Sequence, residues 1–229
     1  MSQNSSWVFL PGTLCDERLW FRMWKQMHIQ DRRYVPLQWA NNLEEMDALT
    51  SYACDNGPVT LIGFSMGGYI AARYALANPD DVEHLILLGY DPAGLPEQEV
   101  AQRKQFIRHL QNGRFTPMAD SRLAQFISAS GANADFTRQM VRDMESDLGG
   151  SVLLAQTRAT TEREDFCAQL AAAPFKTTLI GAEQDRIAPL QRLAQSAALC
   201  GANLIKVEDA EHMFPLQKPE LVATLLEQA

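Results

Sequence analysis

Val59-Thr60-Leu61-Ile62-Gly63-Phe64-Ser65-Met66-Gly67-Gly68 runs from an unbroken apolar stretch into a serine bracketed by glycines. With no polar alternation, the run predicts a strand covered on both faces, and hence a parallel sheet. Small and apolar residues over 67–77 then predict a helix, closed by Asn78-Pro79. A serine at such a strand-to-helix turn is held in a strained backbone. Small residues two before and two after it keep the strand and the returning helix from clashing. Its hydroxyl is lifted above the sheet edge, near the positive end of the helix dipole. The competing reading is a glycine-rich turn with an incidental serine, and the position between a buried strand and a small-residue helix weighs against it.

Toward the N-terminus, Trp7-Val8-Phe9-Leu10 is a strand-like run stopped by Pro11-Gly12. Asp16 then caps a helix carrying Leu19, Trp20, Met23, Trp24 and Met27 at three- and four-residue spacing. Tyr34-Val35-Pro36-Leu37 reads as a second strand, placed on an edge by its proline. Toward the C-terminus, further buried strands are His84-Leu85-Ile86-Leu87-Leu88-Gly89, Thr177-Thr178-Leu179-Ile180-Gly181 and Asn203-Leu204-Ile205-Lys206-Val207. Helices are expected over 189–200 and after Pro219. This alternation means an α/β fold with a mostly parallel sheet of about six strands. From 91 to 160 only helical patterns occur, a stretch too long for a connecting loop. The expected division is a core of 1–92 and 160–229 with a helical cap over 93–159. Thr161 and Glu164 form a capping box where the regular fold resumes.

Of the 229 residues, 46% are hydrophobic and 21% charged, which supports a sizeable core and excludes a disordered tail or a fibre. Lys and Arg number 20 against 28 Asp and Glu, a net charge of −8 that disfavours a nucleic-acid partner. No apolar run reaches the ~20 residues of a membrane span. Met1-Ser2-Gln3-Asn4-Ser5-Ser6 lacks the basic-then-apolar order of a secretory signal. Cys15, Cys54, Cys167 and Cys200 are far apart with no C-x-x-C, so reduced thiols in the cytoplasm are expected, and no metal site.

A serine hydroxyl needs a general base, and histidine is the usual one. His28, His84 and His109 do not follow the carboxyl end of a strand; His212, in Glu208-Asp209-Ala210-Glu211-His212-Met213, does. In open α/β sheets that end faces the ligand crevice. The carboxylate that orients the histidine is expected to be Asp185, after the penultimate strand, with Glu183 and Asp91 as competitors. The order Ser65…Asp185…His212 favours Asp185.

These motifs resemble those of the α/β-hydrolase-fold superfamily. Gly63-Phe64-Ser65-Met66-Gly67-Gly68, Gly181-Ala182-Glu183-Gln184-Asp185 and Ala210-Glu211-His212 are similar to its three motif regions, and the helical insertion to its lid. The resemblance implies a small-molecule ester, thioester or related acyl substrate and no cofactor. It also implies an oxyanion hole from the backbone N–H groups of Met66 and Thr13, with Leu14 one residue away. Two departures stand out. Only six residues precede Trp7, so a sheet without the N-terminal antiparallel hairpin of such folds is expected, and Leu10-Pro11-Gly12-Thr13-Leu14 stands where the family often has His-Gly-x.

The first functional reading is a serine hydrolase of the carboxylesterase or thioesterase kind, working through an acyl-enzyme. Alternatives are a lyase resembling that of the menaquinone pathway, a carbon–carbon bond hydrolase, and a small-molecule receptor or signalling partner on the same fold. Phe106, Phe115, Met118, Phe126, Phe136, Met140 and Met144 are expected mostly to seal the lid to the sheet, some lining an acyl pocket. Arg103, Lys104, Arg108 and Arg114 form either a solvated helix face or a steering patch for a carboxylate-bearing substrate.

Overall fold

Apolar residues alternate across each central strand, and the two sets build two cores on opposite faces of one sheet. Val8 and Leu10 of β1 (Ser6–Leu10), Leu61 of β3 (Val59–Phe64) and Leu85 and Leu87 of β4 (Val82–Leu88) belong to one core. Phe9, Ile62, Phe64, Ile86 and Leu88, at the intervening positions, belong to the other. The period of two in side-chain direction does this sorting. A computed structural model describes residues 6–128, 131 and 133–229. The reading of Met1–Ser5 lies outside the described residues.

Among the described residues the sheet has six strands in the order β2-β1-β3-β4-β5-β6, every neighbouring pair parallel. β2 is Arg32–Tyr34, β5 Lys176–Ala182 and β6 Asn203–Val207. The chain leaves β1 in one direction and β3 in the other, which makes the crevice past their carboxyl ends the topological switch point. Leu10 stands level with Gly63, so the loops after β1 and β3 emerge side by side.

On the sheet pack α2 (Leu43–Ala53), α3 (Met66–Ala77), α8 (Leu190–Cys200) and, after the short α9 (Phe214–Gln217), α10 (Pro219–Gln228). Between β4 and β5 lie α4 (Glu97–Gln111), α5 (Asp120–Leu123), α6 (Ala134–Ala159, kinked at Gly149, φ 70°, ψ −173°) and α7 (Cys167–Ala171), with no strand among the described residues there. No described helix is long and apolar enough to cross a membrane. All four cysteines are buried free thiols.

Four expectations need correction. The second strand ends at Tyr34, and Pro36, which has no N–H for a ladder, instead opens a short 3-10 turn over Leu37–Trp39. Asp16 does cap, accepting the Arg18 N–H at 3.0 Å, but it starts a 3-10 turn and then the four-residue α1 (Phe21–Trp24) rather than one continuous helix. Trp20 and Trp24 are still joined by a helical hydrogen bond, Trp24 N–H to the Trp20 carbonyl at 2.9 Å, and both pack on Phe9, so the expected spacing holds across the break. Thr161 makes no capping box; its hydroxyl donates back to the Thr157 carbonyl, and Asp165 accepts the Cys167 N–H at 2.8 Å to start α7. Phe106 and Phe136 are 43% and 40% exposed rather than buried, Phe136 lying under the Arg22 guanidinium at 4.9 Å, whereas Met144 is fully buried.

Candidate active site

Ser65 sits at φ 51°, ψ −114°, between the last residue of β3 and the first of α3. This is left-handed territory that a side chain occupies only under constraint, at about 1–3 kcal/mol. Its N–H donates to the Leu88 carbonyl at 2.8 Å, which anchors the turn to β4. The flanking glycines answer to close backbone approach. A Cβ on Gly63 would lie 2.4 Å from the Gly67 carbonyl oxygen, and one on Gly67 would lie 2.4 Å from that of Leu10.

His212 reaches this turn from the loop after β6. Its Nε2 is 3.1 Å from Ser65 Oγ and its Nδ1 is 2.8 Å from Asp185 Oδ2. A proton on Nδ1 donates to the carboxylate and leaves Nε2 to accept from the serine hydroxyl. Asp185 is 5% exposed and His212 2% exposed, so the pair interacts largely out of water. The other carboxylate oxygen, Oδ1, accepts the N–H groups of Ile187 at 2.7 Å and Ala188 at 2.9 Å. The imidazole is packed against Phe64 and Phe126, at ring-centroid distances of 5.1 and 5.8 Å. Behind it, Glu211 Oε1 accepts the Ser128 N–H at 2.9 Å, tying the histidine loop to the helical insertion.

The competing residues are occupied elsewhere. Asp91 accepts from Ser196 Oγ at 2.5 Å and pairs with Arg192 at 2.8 Å; Glu183 pairs with Lys206 at 3.3 Å. His28 is exposed at the surface, and His84 Nε2 lies 2.9 Å from Thr178 Oγ1 within the sheet.

The Pro11–Leu14 loop runs beside the serine: a Cβ on Gly12 would lie 3.4 Å from Ser65 Cβ. Leu14, at φ 49°, donates its N–H to Gln156 Oε1 at 2.9 Å. Of the two candidate oxyanion donors in this loop, Leu14 is therefore turned away to another acceptor and Thr13 is left. Met66 holds the first position of α3, where a backbone N–H has no intrahelical acceptor. Gln156 is a residue that the sequence pattern did not single out. It is fully buried and its Nε2 has no partner among the described residues. One glutamine in a long amphipathic helix carries no signal of this contact, which joins positions far apart in the chain.

The family model for the alpha/beta hydrolase fold matches residues 52–219. A thermophilic esterase from Thermogutta terrifontis, solved with malate bound, superposes with TM-score 0.86 at 18% identity, covering 98% of this chain and 88% of that one. An esterase from Exiguobacterium antarcticum superposes with TM-score 0.77 at 18% identity, covering 100% and 92%. A probable 1-acylglycerol-3-phosphate O-acyltransferase of Oryza sativa subsp. japonica is 31% identical over 38% of this chain. The chain spans 25% of the length of that relative. With a six-stranded parallel sheet, a serine at the turn after β3 and a family match that runs from α2 to α10, the chain belongs to the alpha/beta hydrolase fold family.

Proposed function

We propose that the protein is a serine hydrolase that cleaves a small or medium acyl ester or thioester through a Ser65-His212-Asp185 triad. The carrying observation is the unbroken path from Asp185 Oδ2 through the imidazole to Ser65 Oγ, at 2.8 and 3.1 Å. Ser65 Oγ attacks the acyl carbonyl carbon as His212 Nε2 takes its proton. Asp185 keeps the ring in the tautomer this requires and stabilises the imidazolium. The carbonyl oxygen becomes an oxyanion facing the N–H groups of Met66 and Thr13. Collapse expels the alcohol or thiol with the proton from His212 and leaves an acyl-Ser65. Water attacks that ester with His212 again as base, and the acid departs.

The helical insertion over 93–159 acts in this reading as a cap. Phe126 covers one face of the catalytic imidazole, and Ser128 holds the histidine loop. A fluorophosphonate probe tests the reading: it should label the native protein on Ser65 and leave Ser65→Ala unlabelled. Equal labelling of the two proteins would remove Ser65 as the nucleophile.

A further inference from the structure

Two arginines lie near the Ser65 turn, one over a ring that packs on His212 and the other over a ring that packs on the first turn of α3. The Arg122 guanidinium lies 5.1 Å over the Phe126 ring, whose centroid is 5.8 Å from that of His212. On the other side the Arg163 guanidinium, in the turn between α6 and α7, lies 5.8 Å over Tyr90 and 5.3 Å over Tyr69. Tyr90 in turn packs on the first turn of α3, where a Cβ on Gly68 would lie 2.6 Å from Tyr90 Cβ.

Neither arginine has a carboxylate partner among the described residues. Arg163 Nε donates to the Thr160 carbonyl at 2.9 Å, and Arg122 Nη1 donates to Gln125 Oε1. Partial removal from water lowers the pKa of both, Arg122 remaining exposed at the surface and Arg163 half-buried, and the like charge of Arg103 on α4 adds to it, bringing Arg163 to about 10. Arg103 is itself paired with Glu99 at 3.1 Å, so three neighbouring guanidinium groups share one carboxylate. Tyr90, on whose ring Arg163 rests, is 2% exposed, and its hydroxyl is a buried donor without a partner among the described residues. By contrast, Lys104 pairs with Glu162 at 2.6 Å and Arg142 with Asp120 at 2.6 Å. Unmatched positive charge beside the site of a chain with net charge −8 calls for an anion, and guanidinium forks fit a carboxylate.

We propose that Arg163 and Arg122, backed by Arg103, bind a carboxylate carried by the substrate, which makes the substrate an anionic ester or thioester. Of the four basic residues that the sequence offered, only Arg103 belongs to this set; Arg108 and Arg114 are exposed. The proposal rests on the serine-hydrolase reading for its chemistry but not for its binding, and the test separates the two.

Matched ester pairs differ by one carboxylate. Mono-4-nitrophenyl glutarate against 4-nitrophenyl pentanoate places it on the acyl side, and 4-acetoxybenzoate against phenyl acetate on the leaving side. The native protein should favour the charged member of at least one pair in kcat/KM, chiefly through KM. Arg163→Met should reduce that preference about tenfold or more, and so should Arg122→Glu at an exposed position where folding is not at risk. Arg163→Lys, which keeps charge but not the fork, should recover part of it. No preference in either pair, or one that survives both substitutions, overturns the proposal. Calorimetric binding of glutarate and of 4-hydroxybenzoate to Ser65→Ala reads the site without turnover. Binding weakened about tenfold by Arg163→Met supports the proposal even if no ester is cleaved, and binding of neither anion overturns it. Failure of the hydrolase reading would appear separately, as an unlabelled Ser65 in the native protein.

Discussion

The side-chain carbonyl of Gln156 accepts the Leu14 N–H at 2.9 Å, and this one bond fastens the long helix of the insertion to the loop beside Ser65. Leu14 is held there at φ 49°, a conformation that leucine does not adopt without such a restraint. Gln156→Leu leaves the Leu14 N–H buried and unpaired, so stability should fall by about 1–3 kcal/mol in urea unfolding. Freed of its anchor, the loop should also misplace the Thr13 N–H. kcat for a neutral ester should therefore drop more than KM rises, and an unchanged kcat would detach Gln156 from the oxyanion loop.

Asp185 holds His212 through Oδ2 and is itself fixed by two backbone N–H groups on Oδ1. Asp185→Asn keeps the shape but removes the charge and favours the wrong imidazole tautomer. Steady-state kinetics should show kcat lower by roughly 10³–10⁴. A loss below about tenfold would indicate that another carboxylate serves the histidine.

The strain at Ser65 is also measurable as stability. Glycine occupies φ 51°, ψ −114° without a Cβ penalty, whereas alanine keeps that penalty. Ser65→Gly should unfold at higher urea than Ser65→Ala, by about 1 kcal/mol, and neither should turn over an ester. Equal midpoints would mean that the turn stores no strain.

His84 sets an acid-side limit on stability. Burial, and secondarily the charge of Lys176, push its pKa from 6.5 down to about 4. The unfolded chain therefore binds a proton that the folded chain refuses between those values. Stability is full above pH 6.5 and declines as pH falls toward 4. The ring is only half-buried, so solvent screening limits the loss to about 1–2 kcal/mol. His84→Gln should flatten the difference between urea midpoints measured at about pH 7 and about pH 4.5; an unaltered difference would assign the acid sensitivity to other groups.

Most of the sheet was legible because its signals are local. The Val59–Phe64 run, the glycine spacing around Ser65 and the Pro and Gly punctuation each act within a few residues of themselves. Ser65, Asp185 and His212 were legible for a related reason: each follows a strand, and in a parallel sheet every carboxyl end opens on the same edge. Where neighbours in space took over, reading along the chain failed. The helix after Asp16 broke at Trp20 into a 3-10 turn and a single α-turn, Thr161 bonded backward to Thr157, and Phe106 and Phe136 stayed partly exposed despite their hydrophobicity.

The amino-acid order alone thus determined the α/β class, the parallel strands and three residues at strand ends, because side-chain period, turn chemistry and chain order are properties of short segments. Only the folded chain decided that His212 stands 3.1 Å from Ser65, that Asp185 and neither Glu183 nor Asp91 holds it, that Gln156 fastens the loop beside Ser65, and that Arg122 and Arg163 rest on aromatic rings without a carboxylate partner among the described residues. Those are contacts between segments distant in sequence, fixed by how the helical insertion packs over the sheet edge, and no local pattern encodes them.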